Sequence, residues 1–212
     1  MKAAIAIVSL SFLASAAFAQ AQPEAPRPPA ATLTAAKGAS LPVDANGFIR
    51  RWRVHEPIPV PGRLTEASVE EAVKAAALPA DGGSAWHALD TTNYNLNLYH
   101  FAWALSKPTS NVLFWVETVV ESPREMHNVR LAIGSNAASR WWLNDQPVIA
   151  LNDDRQSVID DGVSKRVTLR AGRNVIRAAV INGGGATDFC ARFLDENDKP
   201  IPGLRASLPA AR

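Results

Sequence analysis

Cysteine is almost missing from this sequence, and its scarcity excludes a disulfide framework. Cys190 is the only cysteine in 212 residues, so no internal disulfide can form. It stands in a segment, residues 188–194, whose apolar and aromatic composition is typical of a strand. We therefore interpret Cys190 as a buried, inert thiol rather than as a nucleophile or a redox site.

An excess of either charge is also missing. The chain has 22 basic and 20 acidic residues, which gives a formal net charge of +2. Nucleic acids and anionic membranes are bound by clustered basic surface. The near balance therefore gives no reason to expect a nucleic-acid or membrane partner.

Motifs for catalysis are lacking as well. An α/β-hydrolase needs Gly-x-Ser-x-Gly, and the nearest fragment, residues 133–136, has no second glycine. The four histidines are scattered without metal-ligand spacing. The three glycines at 183–185 separate predicted strands, whereas a phosphate-binding loop opens a helix. We predict no catalytic residue, and the interpretation leans towards a protein that is not an enzyme.

Long apolar runs are confined to the beginning of the chain. Lys2 precedes an apolar stretch at residues 3–16, and Ala17-Phe18-Ala19 fits a signal-peptidase site. The stretch is shorter than the roughly 20 residues that span a bilayer. We expect a signal peptide at residues 1–19 and a periplasmic or secreted protein with no membrane association after cleavage.

Large apolar residues are scarce again between residues 20 and 46, where alanine and proline dominate. Such a segment buries too little surface to offset its conformational entropy. The sequence therefore predicts a disordered tether at 20–46, one folded domain at 47–205 and a disordered tail at 206–212.

One helix is indicated within the folded domain. Val69, Ala72, Val73 and Ala76 share a helical face. Ser68 and Glu71 fit a capping box, and Pro79 follows. The apolar face is weak, which places this helix at the periphery.

From Leu98 onward the pattern is typical of β-structure. Residues 112–120 form an apolar, β-branched and aromatic run, and residues 129–133 alternate between apolar and other positions. Hairpins are indicated at 140–149 and 166–181, and another strand at 187–194. Turn signals about every ten residues favour an antiparallel sheet. We predict an all-β fold, a jelly-roll-like antiparallel β-sandwich with one short peripheral helix.

Tryptophan is abundant, with six residues. Trp141 and Trp142 are adjacent on a predicted strand and must face opposite sides. One can fill the core while the other stacks against the apolar face of a sugar, and we favour Trp142 for that role. Polar candidates in loops and at strand ends complete the predicted ligand-binding set: Arg140, Trp142, Asn144, Asp154, Arg155, Asn182 and Asp188.

Two acidic pairs flank Arg155, namely Asp153-Asp154 and Asp160-Asp161. Carboxylate oxygens are ligands for Ca²⁺, although the spacing is not that of an EF-hand. A solvated loop is the interpretation we favour, and a structural Ca²⁺ stays open. No other cofactor is predicted.

Residues 47–204 resemble a galactose-binding-like jelly-roll module. The resemblance rests on residues 48–54 with Pro57, residues 141–144 with Val148, residues 167–174 and residues 182–185. Three stretches, NYNLNLYHFAWALSK, IGSNAASRWW and VINGGGATDFCARFL, are similar to bacterial secreted proteins labelled acetylxylan esterase. The resemblance implies a sugar-related setting.

Three functional hypotheses follow. The first is an exported non-catalytic module of a glycan-degrading system. It binds a carbohydrate, such as xylan or another plant polysaccharide, or it binds a protein of that system. The second is an acetylxylan esterase or other carbohydrate esterase with an unconventional site, in which a distant histidine serves Ser135 or Ser139. The third is a structural module that docks onto another protein.

Overall fold

The computed structural model describes residues 32–60, 66–80, 83–153 and 155–210. Within these ranges the chain forms two antiparallel β-sheets and two short helices. The elements in chain order are β1 (Leu33–Ala35), β2 (Ser40–Pro42), β3 (Arg51–His55), β4 (Ile58–Pro59), α1 (Glu66–Ala75), β5 (Trp86–Thr91), β6 (Leu96–Asn97), α2 (Leu98–Ala104), β7 (Val112–Ser122), β8 (Met126–Ser135), β9 (Ala138–Leu143), β10 (Gln146–Leu151), β11 (Gly162–Val163), β12 (Val167–Leu169), β13 (Gly172–Asn182), β14 (Asp188–Leu194) and β15 (Arg205–Ser207).

The large sheet is built around β7 and β13, which pair along their full length. Its main path runs β1-β5-β3-β7-β13-β9-β10, and β2, β4 and β15 join at the sides. Strand β7 is buried on both faces, because the sandwich core covers one face and α1 covers the other. Burial on both faces explains why its sequence is a nearly continuous apolar run.

The small sheet has the order β11-β8-β14-β6, with β12 also paired to β8. Strands β8 and β14 pair from Ser135 and Phe189 at one end to Arg130 and Leu194 at the other. The two sheets pack face to face around one apolar core. The predicted all-β antiparallel β-sandwich is confirmed.

Three aromatic rings mark the centre of that core. The Trp52 and Phe189 ring centroids lie 4.9 Å apart, and Trp141 and Phe189 lie 5.3 Å apart, both edge to face. Each buried indole N–H has a partner: Trp52 Nε1 donates to the Ile49 carbonyl, and Trp141 Nε1 donates to Ser139 Oγ. The aromatic residues of both sheets therefore interlock with their polar atoms satisfied.

Helix α1 lies on the outer face of the large sheet, as its weak apolar face predicted. Val69, Ala72 and Ala76 pack there in a second apolar cluster with Trp115. Trp115 Nε1 donates a 2.7 Å hydrogen bond to the Ala76 carbonyl. The helix begins at Glu66, so Ser68 lies inside its first turn and the predicted capping box does not form its N-terminus.

Helix α2 corrects the prediction of uninterrupted β-structure from Leu98 onward. Asn97 caps it, since Asn97 Oδ1 accepts a 2.7 Å hydrogen bond from the His100 amide. Leu98, Phe101 and Ala102 are buried. These three residues have the i, i+3, i+4 spacing of one helical face, and burial of that face favours a helix here over a strand.

The prediction of a disordered segment at 20–46 is wrong for its described part. Strands β1 and β2 lie within it and pair with β5 and β15. The buried Arg51 guanidinium ion-pairs with Asp90 and donates hydrogen bonds to the carbonyls of Lys37 and Gly38. Backbone pairing and this arginine order the segment, so few large apolar residues are needed. Residues 1–31, including the predicted signal peptide, lie outside the described residues.

The predicted disordered tail at 206–212 is wrong at its first residues. Strand β15 pairs with both β2 and β7, and Ala206 is buried. Within the described ranges, neither helix has the length and apolar character needed to cross a membrane.

Candidate functional site

A row of side chains crosses the outer face of the large sheet. Trp142 is the register partner of Arg177, Arg177 of Glu117, and Glu117 of Arg53. Register partners on neighbouring strands share a face, so these residues lie side by side. Trp141 faces the opposite side and is fully buried in the core. As expected, one of the two adjacent indoles fills the core and the other lies on the opposite face of the strand.

Trp142 is held in place from beneath but is not fully buried. Its ring centroid lies 5.7 Å from that of Trp115, with 34° between the planes. Trp115 is itself anchored to α1. This contact supports the Trp142 indole from the side of the sheet.

Trp142 lines a groove of about 370 Å³ between α1 and β10, here called the Trp142 groove. Its other lining residues are Glu70, Arg140, Trp141, Pro147, Val148, Ile149 and Ala150. The lining is mostly apolar with one carboxylate and one guanidinium. Ligand sites of small molecules combine concave apolar surface with a few polar groups in this way.

Arg140 gives the groove its shape. It is buried and ion-pairs with Glu70 of α1. Its guanidinium also donates to the Leu151 carbonyl at 2.8 Å and to Asn152 Oδ1 at 2.7 Å. Most of its donors are therefore engaged within the protein, and Arg140 fastens the helix to the β10 edge.

Glu70 is the residue of this groove that sequence reasoning missed. Its side chain is 62% exposed beside Arg140, so its carboxylate oxygens can accept hydrogen bonds from a ligand. In the sequence it is one of several glutamates on a helix surface. Only the packing of α1 on the large sheet brings it to Trp142.

Glu117 was also missed, and it is the one carboxylate that is fully buried in the described part of β7. Its two oxygens accept from Arg177 Nε at 2.7 Å and from Arg53. Arg177 also forms an ion pair with Asp145, with 3.0 Å between Arg177 Nη1 and Asp145 Oδ1. A glutamate inside the apolar run VLFWVETVV is the signal that could have revealed it. The arginines neutralise Glu117 and connect β3, β7 and β13.

Asn144 serves the hairpin between β9 and β10. Its backbone has a φ of 51°, in the left-handed region. Its Oδ1 accepts from the Val175 amide at 2.9 Å, and its Nδ2 donates to Asn174 Oδ1 at 3.1 Å. The structure thus places Asn144 at the end of β9 with its amide group engaged by β13.

Arg155, Asn182 and Asp188 lie at the other end of β9, and Asp154 lies outside the described residues. The Asn182 amide nitrogen donates to the Thr109 carbonyl at 2.6 Å, and its oxygen accepts from Gly184. Arg155 is exposed and ion-paired with Asp161. The predicted set is thus divided between the Trp142 groove and the two ends of the sandwich.

The Asp188 carboxylate is partly enclosed. Its Oδ2 accepts a 3.2 Å hydrogen bond from Asn95 Nδ2, while its Oδ1 is buried without a hydrogen-bond partner among the described residues. Burial raises the pKa of Asp188, against the opposing effects of hydrogen bonds from Ser157 and Asn95 and of the charge of His100. Such a carboxylate has unused capacity to accept hydrogen bonds.

The two serines of the esterase hypothesis are both buried. The Ser135 hydroxyl donates to the Ala137 carbonyl at 3.0 Å. The Ser139 hydroxyl accepts from the Trp141 indole. Neither hydroxyl has a histidine partner among these hydrogen bonds of the described residues.

Cys190 is buried beneath the loop that joins β10 and β11. Burial raises the pKa of its thiol to about 11, with smaller contributions from Asp160 and Asp188. The thiol is therefore protonated near neutral pH, where a thiolate would be needed for nucleophilic chemistry.

Among the described residues, no group of three or more histidine, cysteine or acidic side chains is placed to hold a metal ion. Asp160 is bound by Arg192 and Asp161 by Arg155. These two carboxylates thus have cationic partners from the protein. The structural Ca²⁺ stays a prediction, since Asp154 is not described.

A larger cleft of about 580 Å³ lies near the start of β8. Its lining includes Arg124, Glu125, Met126 and His127. His127 and Glu125 pair at 3.1 Å, and both are exposed. No tryptophan or tyrosine lines it in the described chain, so it lacks the stacking surface that the Trp142 groove provides.

No protein-family model matches this chain, and no curated protein matches it. The chain is similar in structure to the PA14 sugar-binding domain from an RTX adhesin, with a TM-score of 0.51 and 12% identity. That match covers 78% of this chain and 100% of that domain. At this identity the likeness establishes a shared fold.

Two further structures show the same kind of likeness at lower TM-scores. The PA14 domain of the antifreeze protein MpAFP has a TM-score of 0.46 and 10% identity, over 84% of this chain and 99% of that one. A β-glucosidase from Kluyveromyces marxianus has a TM-score of 0.46 and 15% identity over 76% of this chain. The match covers 19% of the β-glucosidase chain.

Proposed function

We propose that this chain is a carbohydrate-binding module that holds a sugar residue in the Trp142 groove. The observation that carries the proposal is a half-buried indole, packed against Trp115, that lines a groove with a carboxylate at its rim. Apolar C–H faces of a sugar ring pack on an indole, and a carboxylate accepts hydrogen bonds from hydroxyl groups.

The shared fold adds to this proposal. The RTX adhesin domain is a sugar-binding domain, and we extend that property to this chain. The predicted signal peptide and the resemblance to secreted proteins labelled acetylxylan esterase favour a role outside the cytoplasm, in a system that degrades glycans. A plant polysaccharide such as xylan is the ligand we test first.

The proposed role is binding without catalysis. Ser135 and Ser139 are engaged by the backbone and by an indole, respectively, and the Cys190 thiol is protonated at neutral pH. In our proposal any acetyl group on the polymer is left untouched.

The experiment is a retention screen of the purified protein on xylan, acetylated xylan and other plant and bacterial polysaccharides, with free acetate measured in the same tubes. We expect retention on at least one polymer and no acetate. Release of acetate would show that the protein is an esterase. Absence of retention on every polymer would contradict the carbohydrate proposal and leave protein docking.

A further inference from the structure

A second aromatic surface lies on α2, away from the Trp142 groove. Trp103 is 50% exposed, and among the six tryptophans, all of which lie in the described ranges, it alone belongs to the exposed class. Tyr99 is one helical turn earlier, on the same face. The His100 ring centroid lies 6.1 Å from that of Tyr99. A solvent-exposed indole next to two further rings is an unusual surface for a soluble domain to keep.

Strand β14 places a polar group beside these rings. The amides of Leu98 and Tyr99 donate to the Thr187 carbonyl at 2.8 and 3.1 Å. Asp188 is the register partner of Asn97, the cap residue of α2. The charge of His100 acts on the Asp188 carboxylate. The carboxylate therefore adjoins the first turn of α2, from which Tyr99 and His100 project.

A buried oxygen at this place lacks a hydrogen-bond partner in the geometry. Asp188 Oδ1 is buried and has no hydrogen bond among the described residues. Buried polar atoms are nearly always paired, so this exception indicates a place where an external donor completes the bonding. Asn95 and Ser157 act on the same carboxylate through hydrogen bonds, and its two oxygens have further acceptor capacity.

From this combination we infer a second sugar-binding surface, formed by Tyr99, His100 and Trp103 of α2 with Asn95 and Asp188. The rings offer a stacking face for an apolar C–H face, and the carboxylate and amide oxygens accept from hydroxyl groups. The inference rests on the proposed function, since it assigns the same class of ligand to a separate surface.

Two surfaces on one module have a consequence for polymer binding. Trp142 lies on the outer face of the large sheet, whereas α2 follows β6 at the edge of the small sheet. A polysaccharide long enough to reach both surfaces would make the second contact at high effective concentration. A short oligosaccharide occupies one surface at a time.

The experiment uses the protein labelled with 5-fluorotryptophan and followed by ¹⁹F NMR. The resonances of Trp103 and Trp142 are assigned with the variants Trp103→Phe and Trp142→Phe. A soluble oligosaccharide, derived from the polymer that retained the protein in the screen, is then titrated in. We expect both resonances to move, with separate midpoints.

Variants identify the partners of the second surface. Asp188→Asn keeps the shape of the side chain and is expected to weaken the Trp103 response about tenfold, while the Trp142 midpoint stays within about twofold. Asp198→Asn, an exposed aspartate near the end of β14, is the matched control and leaves both midpoints unchanged.

The outcomes separate the two proposals. A shift of Trp142 without a shift of Trp103 overturns the second surface and keeps the proposed function. A shift of Trp103 alone supports the second surface and removes the Trp142 groove. If neither resonance moves and no polymer retains the protein, the carbohydrate function itself fails.

Discussion

At the scale of single residues, Trp142 has two roles that one substitution affects together. Its ring packs on Trp115 and it also lines the groove. A loss of affinity therefore means little unless the fold is shown to be intact. A substitution that keeps an aromatic ring distinguishes the two roles.

We expect Trp142→Ala to weaken binding to the polysaccharide that retains the protein by about tenfold or more, because the stacking surface for the sugar is removed. Affinity electrophoresis gives the ratio, and circular dichroism checks the fold. Trp142→Tyr keeps a ring and should recover most of the affinity. Unchanged binding by a folded Trp142→Ala protein would remove this residue from the site.

For Glu117 we predict an effect on stability rather than on binding. Glu117→Gln leaves Arg53 and Arg177, whose side chains are only 11% and 14% exposed, without a full counter-charge. Breaking a buried ion pair costs about 3–5 kcal/mol. We expect the lower end, about 3 kcal/mol, since both guanidinium groups retain some contact with water.

Urea unfolding at neutral pH measures this loss. Glu125→Gln is the matched control, because Glu125 is 55% exposed and pairs only with His127 in the salt bridges described above. The control should change the free energy of unfolding by less than about 0.5 kcal/mol. Equal losses in the two variants would show that the buried Arg53–Glu117–Arg177 row stabilises the fold no more than an exposed ion pair does.

At the scale of elements, the loop between β10 and β11 is held by close contact with β8. A Cβ on Gly134 would lie 2.5 Å from the Val158 carbonyl oxygen and 3.1 Å from Cys190 Sγ. Backbone cannot yield to such an approach as a flexible side chain can. Arg192 fastens the same loop through Asp160.

Gly134→Ala is therefore expected to lift the loop and expose the thiol. Overpacking costs about 1–3 kcal/mol, which corresponds to roughly 5-fold to 150-fold faster reaction of Cys190 with a disulfide reagent. The reaction is followed at pH 8 without denaturant. Gly184→Ala, where a Cβ meets nothing within 4 Å, should react like the wild type. Equal rates in all three proteins would show that the loop does not protect Cys190.

Elements with strong patterns could be predicted from the sequence, and elements made by tertiary contacts could not. Strand β7 is a long apolar run, and the β9–β10 hairpin has Asn144 and Asp145 at its turn, both with positive φ. Helix α2 depends on the Asn97 cap and on burial, and β1 on pairing with β5. The partner of β1 lies far away in sequence, which composition does not record. The Asn97 cap is a short-range signal, but the β-like composition that follows it outweighed it in the prediction.

The candidate site shows the same division. Trp142 could be selected because alternation along a strand forces one of two adjacent indoles outward. Asn182 was selected as a loop residue, but its side chain binds the backbone of its own loop. Glu70 and Trp103 became candidates only when the exposure of α1 and α2 side chains was known.

At the scale of the whole molecule, the N-terminal part of the described chain completes the sheet. A protein that begins at Gly47 lacks β1 and β2 and leaves Arg51 without its two carbonyl acceptors. We expect it to be at least about 2 kcal/mol less stable than a protein that begins at Thr32, because several hydrogen bonds are lost and a buried cation is less well satisfied. Denaturant unfolding of both proteins gives the difference. Identical midpoints would show that residues 32–46 add nothing to the fold.

Strand β15 also determines how the molecule would respond to tension. Ser207 is its last residue and pairs with Ser40 on one side and Val119 on the other, while Arg205 pairs further along with Pro42 and Glu121. A pull applied beyond the C-terminal end of β15 loads the bonds of Ser207 first, then those of Ala206 and Arg205. When the pull is directed across the strand, β15 is peeled off one residue at a time instead of being sheared as a unit. A module anchored to a polymer and pulled from that side would therefore yield at β15 while the β7–β13 centre stays closed.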